Sequence, residues 1–261
     1  MSKISLSVVI LAKNEEERIR DCIKSVREWA SEVIVIDDES TDNTPGLAKE
    51  LGVKVLTQRM DIEGRHRNWA YSKASNQWVL SLDADERLTE ELKDEIESTL
   101  ASVFEHNAFT IPRRNFIGDY WVRWGGLYPS AQLKLFRKDK FKWEEVEVHP
   151  RAFLDGECGH LKGDLIHYTY RDWAAFLNKL NNQTTLEAKK WYKLSKTDPK
   201  KAGYKMNFIH TLWRTGDRFL RAFIVKRGYR DGFIGFMVAY FASLYQITSY
   251  AKYRDLIKNG R

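Results

Sequence analysis

Two aspartates separated by one small residue, Asp83-Ala84-Asp85, close a short apolar run, Trp78-Val79-Leu80-Ser81-Leu82. Side chains alternate faces along a strand, so Asp83 and Asp85 are expected to point the same way where the strand frays into a loop. Paired carboxylates on one side of a strand end repel each other unless a cation lies between them. Hard, oxygen-liking Mg²⁺ or Mn²⁺ suits that place, above all when phosphate oxygens complete the coordination shell.

The elements that must hold this pair are readable upstream. Ile4 to Ala12 is an apolar, β-branched run that reads as a buried strand, followed by Lys13-Asn14-Glu15-Glu16. Asn14 is placed to cap a helix over Glu15–Trp29, in which Ile19, Cys22, Ile23 and Val26 recur at helical spacing. A second strand, Val33–Ile36, runs into Asp37-Asp38-Glu39-Ser40-Thr41-Asp42-Asn43-Thr44. Val53–Leu56 and Trp78–Leu82 are the third and fourth strands, and helices near Thr44–Leu51 and Arg65–Ser75 separate them. This alternation predicts an α/β fold with a parallel sheet covered on both faces. Ligands of such sheets bind beyond the carboxyl ends of the strands. The polar clusters Lys13–Glu15, Asp37–Asp42 and Asp83–Glu86 all follow strand ends, so they should converge on one edge.

Three segments in this order, Val-Val-Ile-Leu-Ala-Lys-Asn-Glu-Glu (8–16), Val-Ile-Asp-Asp-Glu-Ser-Thr-Asp-Asn-Thr (35–44) and Leu-Asp-Ala-Asp-Glu (82–86), resemble family 2 glycosyltransferases of the GT-A fold. Within that family the chain is similar to the bacterial lipopolysaccharide-core β-1,4-glucosyltransferase branch. The branch likeness rests on Trp78–Leu88, on Lys134-Leu135-Phe136-Arg137, on Val148-His149 and on Leu161-Lys162-Gly163-Asp164-Leu165-Ile166-His167-Tyr168. The resemblance implies the GT-A (nucleotide-diphospho-sugar transferase) fold: a mostly parallel central sheet flanked by helices, here with a helical, basic C-terminal extension. It implies a catalytic domain over residues 1–170 and a helical region over 171–261 associated with membrane or acceptor.

The resemblance also implies roles. Asp38, with Asp37 beside it, would hydrogen-bond the nucleotide base or ribose, since a carboxylate accepts two such bonds in fixed geometry. One of Ser40, Thr41 or Asp42 is needed to cap the helix that starts at Thr44. Asp85 would be the direct ligand of a divalent cation, Mg²⁺ or Mn²⁺, with Asp83 on the ribose or behind the metal. Glu86 reads as a helix-start residue. Arg67, in Gly64-Arg65-His66-Arg67-Asn68-Trp69-Ala70, would reach the diphosphate, because guanidinium matches paired phosphate oxygens. Lys13 and Glu15 complete the candidate nucleotide-binding set. An inverting transfer needs a general base for the acceptor hydroxyl. In Lys142-Trp143-Glu144-Glu145-Val146-Glu147-Val148-His149, Glu145 is the first candidate and Glu147 the second, both on one side if the segment is a strand. Pro150 departs from the branch pattern, which has an acid there. His149 and His167 are either orienting residues or core histidines.

Composition bounds the rest. The 261 residues suffice for one sizeable core and an appendage. Cys22 and Cys158 lie far apart and match no metal spacing; Cys22, on an apolar helix face, reads as a buried thiol of a reducing compartment. Ile4–Ala12 is too short for a secretory leader and lacks a cleavage context, so none is expected. Residues 200–261 carry 13 Lys/Arg against 3 Asp/Glu, a net of +10, whereas residues 1–199 come to −3. Within that basic region Gly232–Ala251 is 20 residues without a charge. As a helix it measures about 30 Å, yet its amides, hydroxyls and glycines point to an interfacial or protein-packed helix rather than a span. Basic flanks of that kind are drawn to anionic lipid.

The expected activity is inverting transfer of a hexose from a nucleotide-diphosphate sugar, UDP-glucose by resemblance, to a membrane-associated glycan such as lipopolysaccharide core. The expected location is cytoplasmic, peripheral to the inner face of the cytoplasmic membrane. Two other readings stand beside it. Nucleic-acid binding through the basic region fits less well, because the charge gathers beside an uncharged run instead of tracking a groove. A nucleotidyltransferase shares the metal–phosphate logic, but Lys13-Asn14-Glu15 stands where a glycine-rich phosphate loop would follow the first strand.

Overall fold

The computed structural model describes residues 3–102, 105–146, 151–200 and 206–259. The chain forms two compact units, one of Met1–Arg113 with Ser130–His167, the other of Arg114–Pro129 with Tyr168–Arg261.

The first unit is built on strands β1 (Ile4–Ala12), β2 (Ala30–Asp37), β3 (Lys54–Thr57) and β4 (Trp78–Asp83), with α1 (Ile19–Lys24), α2 (Thr44–Glu50) and α3 (Glu63–Ser72) between them. There follow β5 (Glu86–Leu88), α4 (Glu90–Ala101) and β6 (His106–Ile111). Strands β7 (Arg113–Ile117) and β8 (Tyr120–Trp121) lead into the second unit. Returning, the chain adds β9 (Gln132–Arg137), β10 (Phe141–Trp143), β11 (Ala152–Leu154), β12 (Glu157–His160) and β13 (Leu165–Tyr170). The central sheet has the order β12-β6-β9-β4-β1-β2-β3. Its pairs are parallel except those of β9 with β4 and β6, so it is the mostly parallel sheet the alternation predicted, with one reversed strand inserted.

Burial on both faces explains why β1 is apolar without a break from Val8 to Ala12. Leu6, Val8, Ile10 and Ala12 pack with Ile19, Cys22, Ile23, Leu92 and Ile96 on one side. Val9 packs with Ile34, Ile36, Ala70, Tyr71 and Phe136 on the other. Cys22 is fully buried, which pushes its thiol up to about 12 and leaves it inert. From β1 the chain moves outward through β2 and β3, then returns to the other side of β1 as β4. The crevice opened by that reversal lies beyond the ends of β1, β2 and β4, where open α/β sheets bind ligands.

Three local expectations change. Helix α1 begins at Ile19, not Glu15, and Asn14 does not cap it: its backbone is left-handed (φ 54°) and its side chain serves another loop. Glu86 starts no helix but opens β5, wholly buried; Thr89 caps α4 instead, accepting from the Leu92 N–H. The helix at Thr44 is served by Asp42, whose Oδ1 accepts from the Thr44 N–H at 3.0 Å.

The second unit contains α5 (Trp173–Thr197), α6 (Phe208–Leu220) continued by a π-helical turn over Arg221–Val225, and α7 (Gly232–Lys258). It is the helical, basic extension, and it also takes up Arg114–Pro129. That segment is tied by the buried Asp231, which accepts from the Trp124 N–H at 2.8 Å and the Tyr120 hydroxyl at 3.2 Å, and by the Gly125 N–H to the Lys226 carbonyl at 2.9 Å. Asn181 of α5 is tied to α7: its carbonyl and side-chain oxygens each accept from Lys252 Nζ at 2.7 Å.

Candidate active site

The loops after β1 and β2 fasten to one another. The Asn14 N–H donates to Ser40 Oγ (2.9 Å), Asn14 Oδ1 accepts from the Thr41 N–H (2.8 Å), the Glu15 N–H donates to Thr44 Oγ1 (2.7 Å), and Glu16 both donates to Asp42 and accepts from the Asn43 N–H. A left-handed asparagine makes this possible, since Asn adopts that backbone more readily than most residues. The carboxyl end of β1 is extended on both sides. The Asp38 N–H donates to the Ala12 carbonyl (2.9 Å) and the Ala84 N–H to the Leu11 carbonyl (3.1 Å). The register pairs Ala12 with Asp37 and Leu11 with Asp83. The two acidic clusters therefore stand on either side of β1, two strand spacings or about 10 Å apart.

The aspartates at the end of β2 divide their work. Asp38 is fully engaged: Lys13 Nζ lies 2.9 Å from Oδ2 and the Met60 N–H donates to Oδ1 at 2.7 Å. Burial works against its charge, but Lys13 and the Met60 N–H outweigh it and hold the carboxyl below its ordinary range. Asp37 is equally buried; its Oδ2 accepts from the Ser40 N–H at 3.2 Å while Oδ1 has no hydrogen-bond partner. Gln58, whose N–H donates to the Asp37 carbonyl, lines a cavity of about 310 Å³ with Arg59, Asp61, Arg65, His66 and Trp69.

Across β1, Asp83 and Asp85 are not a bare repelling pair. Lys134 Nζ, buried on β9, sits 2.9 Å from Asp83 Oδ2 and 2.7 Å from Glu86 Oε2. Arg67 Nη2 lies 3.5 Å from Asp83 Oδ1, and Arg113 Nη1 lies 3.5 Å from Glu86 Oε1. Burial alone would raise the Asp83 pKa, but Lys134 and Arg67 hold it well below the carboxylate range. Arg67 is thus occupied with Asp83 and, at 3.0 Å, with Glu63, and its guanidinium lies 5.9 Å from the Trp143 ring centre.

Asp85 is different. Oδ2 is 3.4 Å from His167 Nε2, and Oδ1 is buried without a partner. The pairing of β13 with β5 sets His167 opposite Glu86 and so beside Asp85. Arg87 fixes the turn from below, donating to the Ala84 carbonyl (2.8 Å), the Glu86 carbonyl (2.8 Å) and the Arg18 carbonyl (2.7 Å). A buried carboxylate oxygen with no donor is costly unless a ligand completes it. Asp85 Oδ1 therefore fits a divalent cation that takes its other oxygens from a diphosphate. Among the described residues no group of three or more His, Cys, Asp or Glu side chains could hold a metal by itself, so a cation at Asp85 would take most of its shell from a substrate.

Glu15 borders this site. Burial pushes its pKa up to about 7, Asp85 and Asp42 add to the rise, and Arg18 and Arg87 oppose it. Its folded pKa exceeds the unfolded value near 4.3, so the folded state binds the extra proton and loses stability as pH rises between those values. Glu15→Gln cannot ionise. Its Tm relative to wild type is expected to climb from about pH 4.5 to about pH 7 and then level off, read by thermal melts across that range; a flat difference refutes the buried-proton account.

The proposed base region is only partly within view. Glu145 lies past the end of β10, not on a strand. Its Oε2 is 3.2 Å from Arg65 Nε and its Oε1 3.4 Å from Asn68 Nδ2, both on α3. Gly64 permits this approach: a Cβ there would stand 2.0 Å from the Glu144 carbonyl oxygen. Glu147, His149 and Pro150 fall outside the described residues.

Residues 7–154 match the model of glycosyl transferase family 2, more than half of the chain. The chain is a family 2 glycosyltransferase. An uncharacterized glycosyltransferase of Rickettsia typhi is 30% identical over 98% of this chain and 89% of its own length. The lipopolysaccharide core biosynthesis glycosyltransferase LpsC of Rhizobium meliloti is 25% identical over 96% of this chain and 92% of its own. Among solved structures, glucosyl-3-phosphoglycerate synthase of Mycobacterium tuberculosis with Mn²⁺, uridine-diphosphate and phosphoglyceric acid is 23% identical, with a TM-score of 0.38 over 42% of this chain and 43% of that one. The chain spans less than half of that solved protein. Membership of a glycosyltransferase family decides against the nucleic-acid and nucleotidyltransferase readings and places the acidic strand ends in a transferase.

Proposed function

We propose that this glycosyltransferase moves a hexose, with inversion, from a nucleotide-diphosphate sugar (UDP-glucose by resemblance) to a hydroxyl of a membrane-associated glycan such as lipopolysaccharide core. The observation that carries the reading is the pair of unpartnered buried carboxylate oxygens, Asp37 Oδ1 and Asp85 Oδ1, on the two sides of the β1 end. One is suited to accept a hydrogen bond from the nucleoside, the other to ligate a cation on the diphosphate. Asp37, with Oδ1 unpartnered, is the first candidate to meet the nucleoside, and Asp38, whose oxygens each already accept one bond, from Lys13 and the Met60 N–H, is the second. Lys13 and Asp38 shape the wall of that site. A bound Mg²⁺ or Mn²⁺ would offset the charge that grows on the leaving diphosphate. Asp83, Arg67 and Lys134 hold the strand end on which Asp85 is mounted, and His167 fixes the orientation of its carboxylate.

For the acceptor, Glu145 is the proposed base and Glu147 the second candidate. Lengthening the Glu145–Arg65 contact when sugar enters would free an oxygen to take the hydroxyl proton. Glu145→Gln keeps volume and hydrogen bonding but cannot accept a proton. It is expected to lower kcat about 100-fold with donor affinity unchanged, and Glu147→Gln to lower it less. The experiment is release of nucleotide diphosphate from a panel of nucleotide sugars with lipopolysaccharide core acceptor, wild type against both variants. Full activity in Glu145→Gln removes it from the role, and no turnover of any donor by wild type overturns the proposed function.

A further inference from the structure

We propose that the outward face of Phe208–Val225 is a docking surface for an anionic phospholipid bilayer, lying in the plane of the interface. This helix is turned inside out for a protein in water. Phe208, Ile209, Leu212, Trp213 and Leu220 recur at spacings of three and four and are exposed, Ile209 by 80%; the π-helical turn continues the stripe with Ile224 and with Val225, exposed by 72%. The polar side faces inward. Thr211 is fully buried, and the Arg218 guanidinium lies 5.0 Å from the Tyr245 ring centre. At one end the stripe merges with an aromatic cluster, Phe219 and Phe223 at 5.4 Å with Phe236 at 5.8 and 5.9 Å from them, beside Phe233, which is 71% exposed. Contiguous exposed apolar surface of this extent marks an interaction face.

Charge selects the occupant. Between residues 206 and 230 stand Arg214, Arg218, Arg221, Lys226, Arg227 and Arg230 against Asp217 alone, a net of +5. Arg221, Lys226, Arg227 and Arg230 are exposed. A second copy docked through a two-fold axis would bring +5 against +5, whereas an anionic lipid surface neutralises it. The stripe is about 27 Å long and covers one side of a helix whose other sides carry Arg214, Asp217 and Arg218, which fits a helix lying on a bilayer rather than crossing it. The charge-free run Gly232–Ala251, read from the sequence as an interfacial or protein-packed helix, packs along α5 and α6 with Val238, Ala239, Phe241, Ser243, Gln246 and Ser249 buried, and its exposed aromatics lie at the end nearest the stripe.

The inference deepens the membrane-acceptor reading but is tested without turnover. Full-length protein is floated with vesicles of phosphatidylcholine and phosphatidylglycerol, and UDP binding in Mn²⁺ is titrated in parallel. Wild type is expected to float, less so in high salt or with phosphatidylcholine alone. The double variant Ile209→Asp/Trp213→Asp is expected to lose about 100-fold in partitioning. Arg221→Gln and Lys226→Gln should each lose about fivefold. UDP binding should not move in any of them, nor the melting curve of the double variant, since Ile209 and Trp213 are exposed; Ile209→Ser alone, with a smaller loss, serves if the double variant fails to fold. Wild type that stays with the soluble fraction, or a double variant that floats like wild type, overturns the proposal. So does a dimer in sedimentation that Ile209→Asp dissociates while vesicles bind neither form. Loss of UDP binding with flotation intact would instead count against the transferase site alone.

Discussion

Asp85→Ala is expected to lower kcat/KM for glycosyl transfer by about a thousandfold, the worth of roughly 4 kcal/mol of lost charge stabilisation on the diphosphate, without lowering Tm. The two halves of this expectation come from the same atom. Asp85 Oδ1 has no hydrogen-bond partner among the described residues and Oδ2 makes a long, 3.4 Å contact with His167, so removing the carboxylate breaks little that holds the fold together. Deleting a carboxylate with one buried, unpartnered oxygen costs little, and Asp85 also contributes to the raised pKa of Glu15, so that strain is relieved as well. The loss should appear as a lost response to Mn²⁺: wild type binds UDP more tightly with the ion than without, and Asp85→Ala binds it equally weakly in both. Asp37→Asn is the complementary variant. It is expected to weaken UDP with or without Mn²⁺, because it alters the nucleoside contact. Transfer by wild type in excess chelator, or an Asp85→Ala protein that still responds to Mn²⁺, would sink the assignment.

That the acidic strand ends were legible in the sequence, and the buried lysine that holds them was not, follows from how far each interaction reaches. The strands β1, β2 and β4 are apolar runs that must be buried on both faces, and acidic residues directly after such runs can only lie at the sheet's edge. A sequence pattern of a few residues holds all of that. Lys134 is 51 residues from Asp83 and arrives because β9 inserts antiparallel beside β4. The only local sign of it was a lysine inside the otherwise strand-like Gln132–Arg137, in a position that buries it. Glu86 was misread for the same reason: an acid before a helical stretch resembles a helix start, and nothing nearby announces Lys134 and Arg113. The shortened α1 has a different origin. Glu15 and Glu16 follow the helical period, but their backbone N–H groups are claimed by Thr44 and Asp42, and that tertiary competition outweighs a weak local preference. On the C-terminal side, the charge-free run drew the reading of an interfacial or protein-packed helix, while the more amphipathic stretch before it went unremarked. Composition finds apolar segments, but only packing shows that α6 turns its apolar stripe outward and its threonines inward.

Lys134→Met should be the most destabilising single change in the first unit, at about 3–5 kcal/mol or a fall in Tm of roughly 10 °C. The side chain is buried and of similar length to methionine, so volume is nearly kept and the loss is of charge. Its ammonium is the nearest cation to both Asp83 and Glu86, at 2.9 and 2.7 Å, and burial, which disfavours its charge, is outweighed by those two carboxylates. In the variant, Glu86 is left with Arg113 and Asp83 with Arg67, each at 3.5 Å, and the wholly buried Glu86 carries the greater part of the penalty. The pH dependence separates this from a packing defect. The depressed pKa of Asp83 gives wild type stability that is present above the unfolded value near 3.9 and is lost as pH falls through the folded one. Without Lys134 that contribution shrinks, so the gap between wild type and variant should be widest near neutrality and narrow below about pH 4. Adding Glu86→Gln to Lys134→Met removes the stranded charge and should recover part of the loss. Urea melts at pH 7 and pH 4 on the three proteins decide it: a gap that does not change with pH, or a double variant weaker than Lys134→Met, would mean that the lysine acts through packing and not through charge.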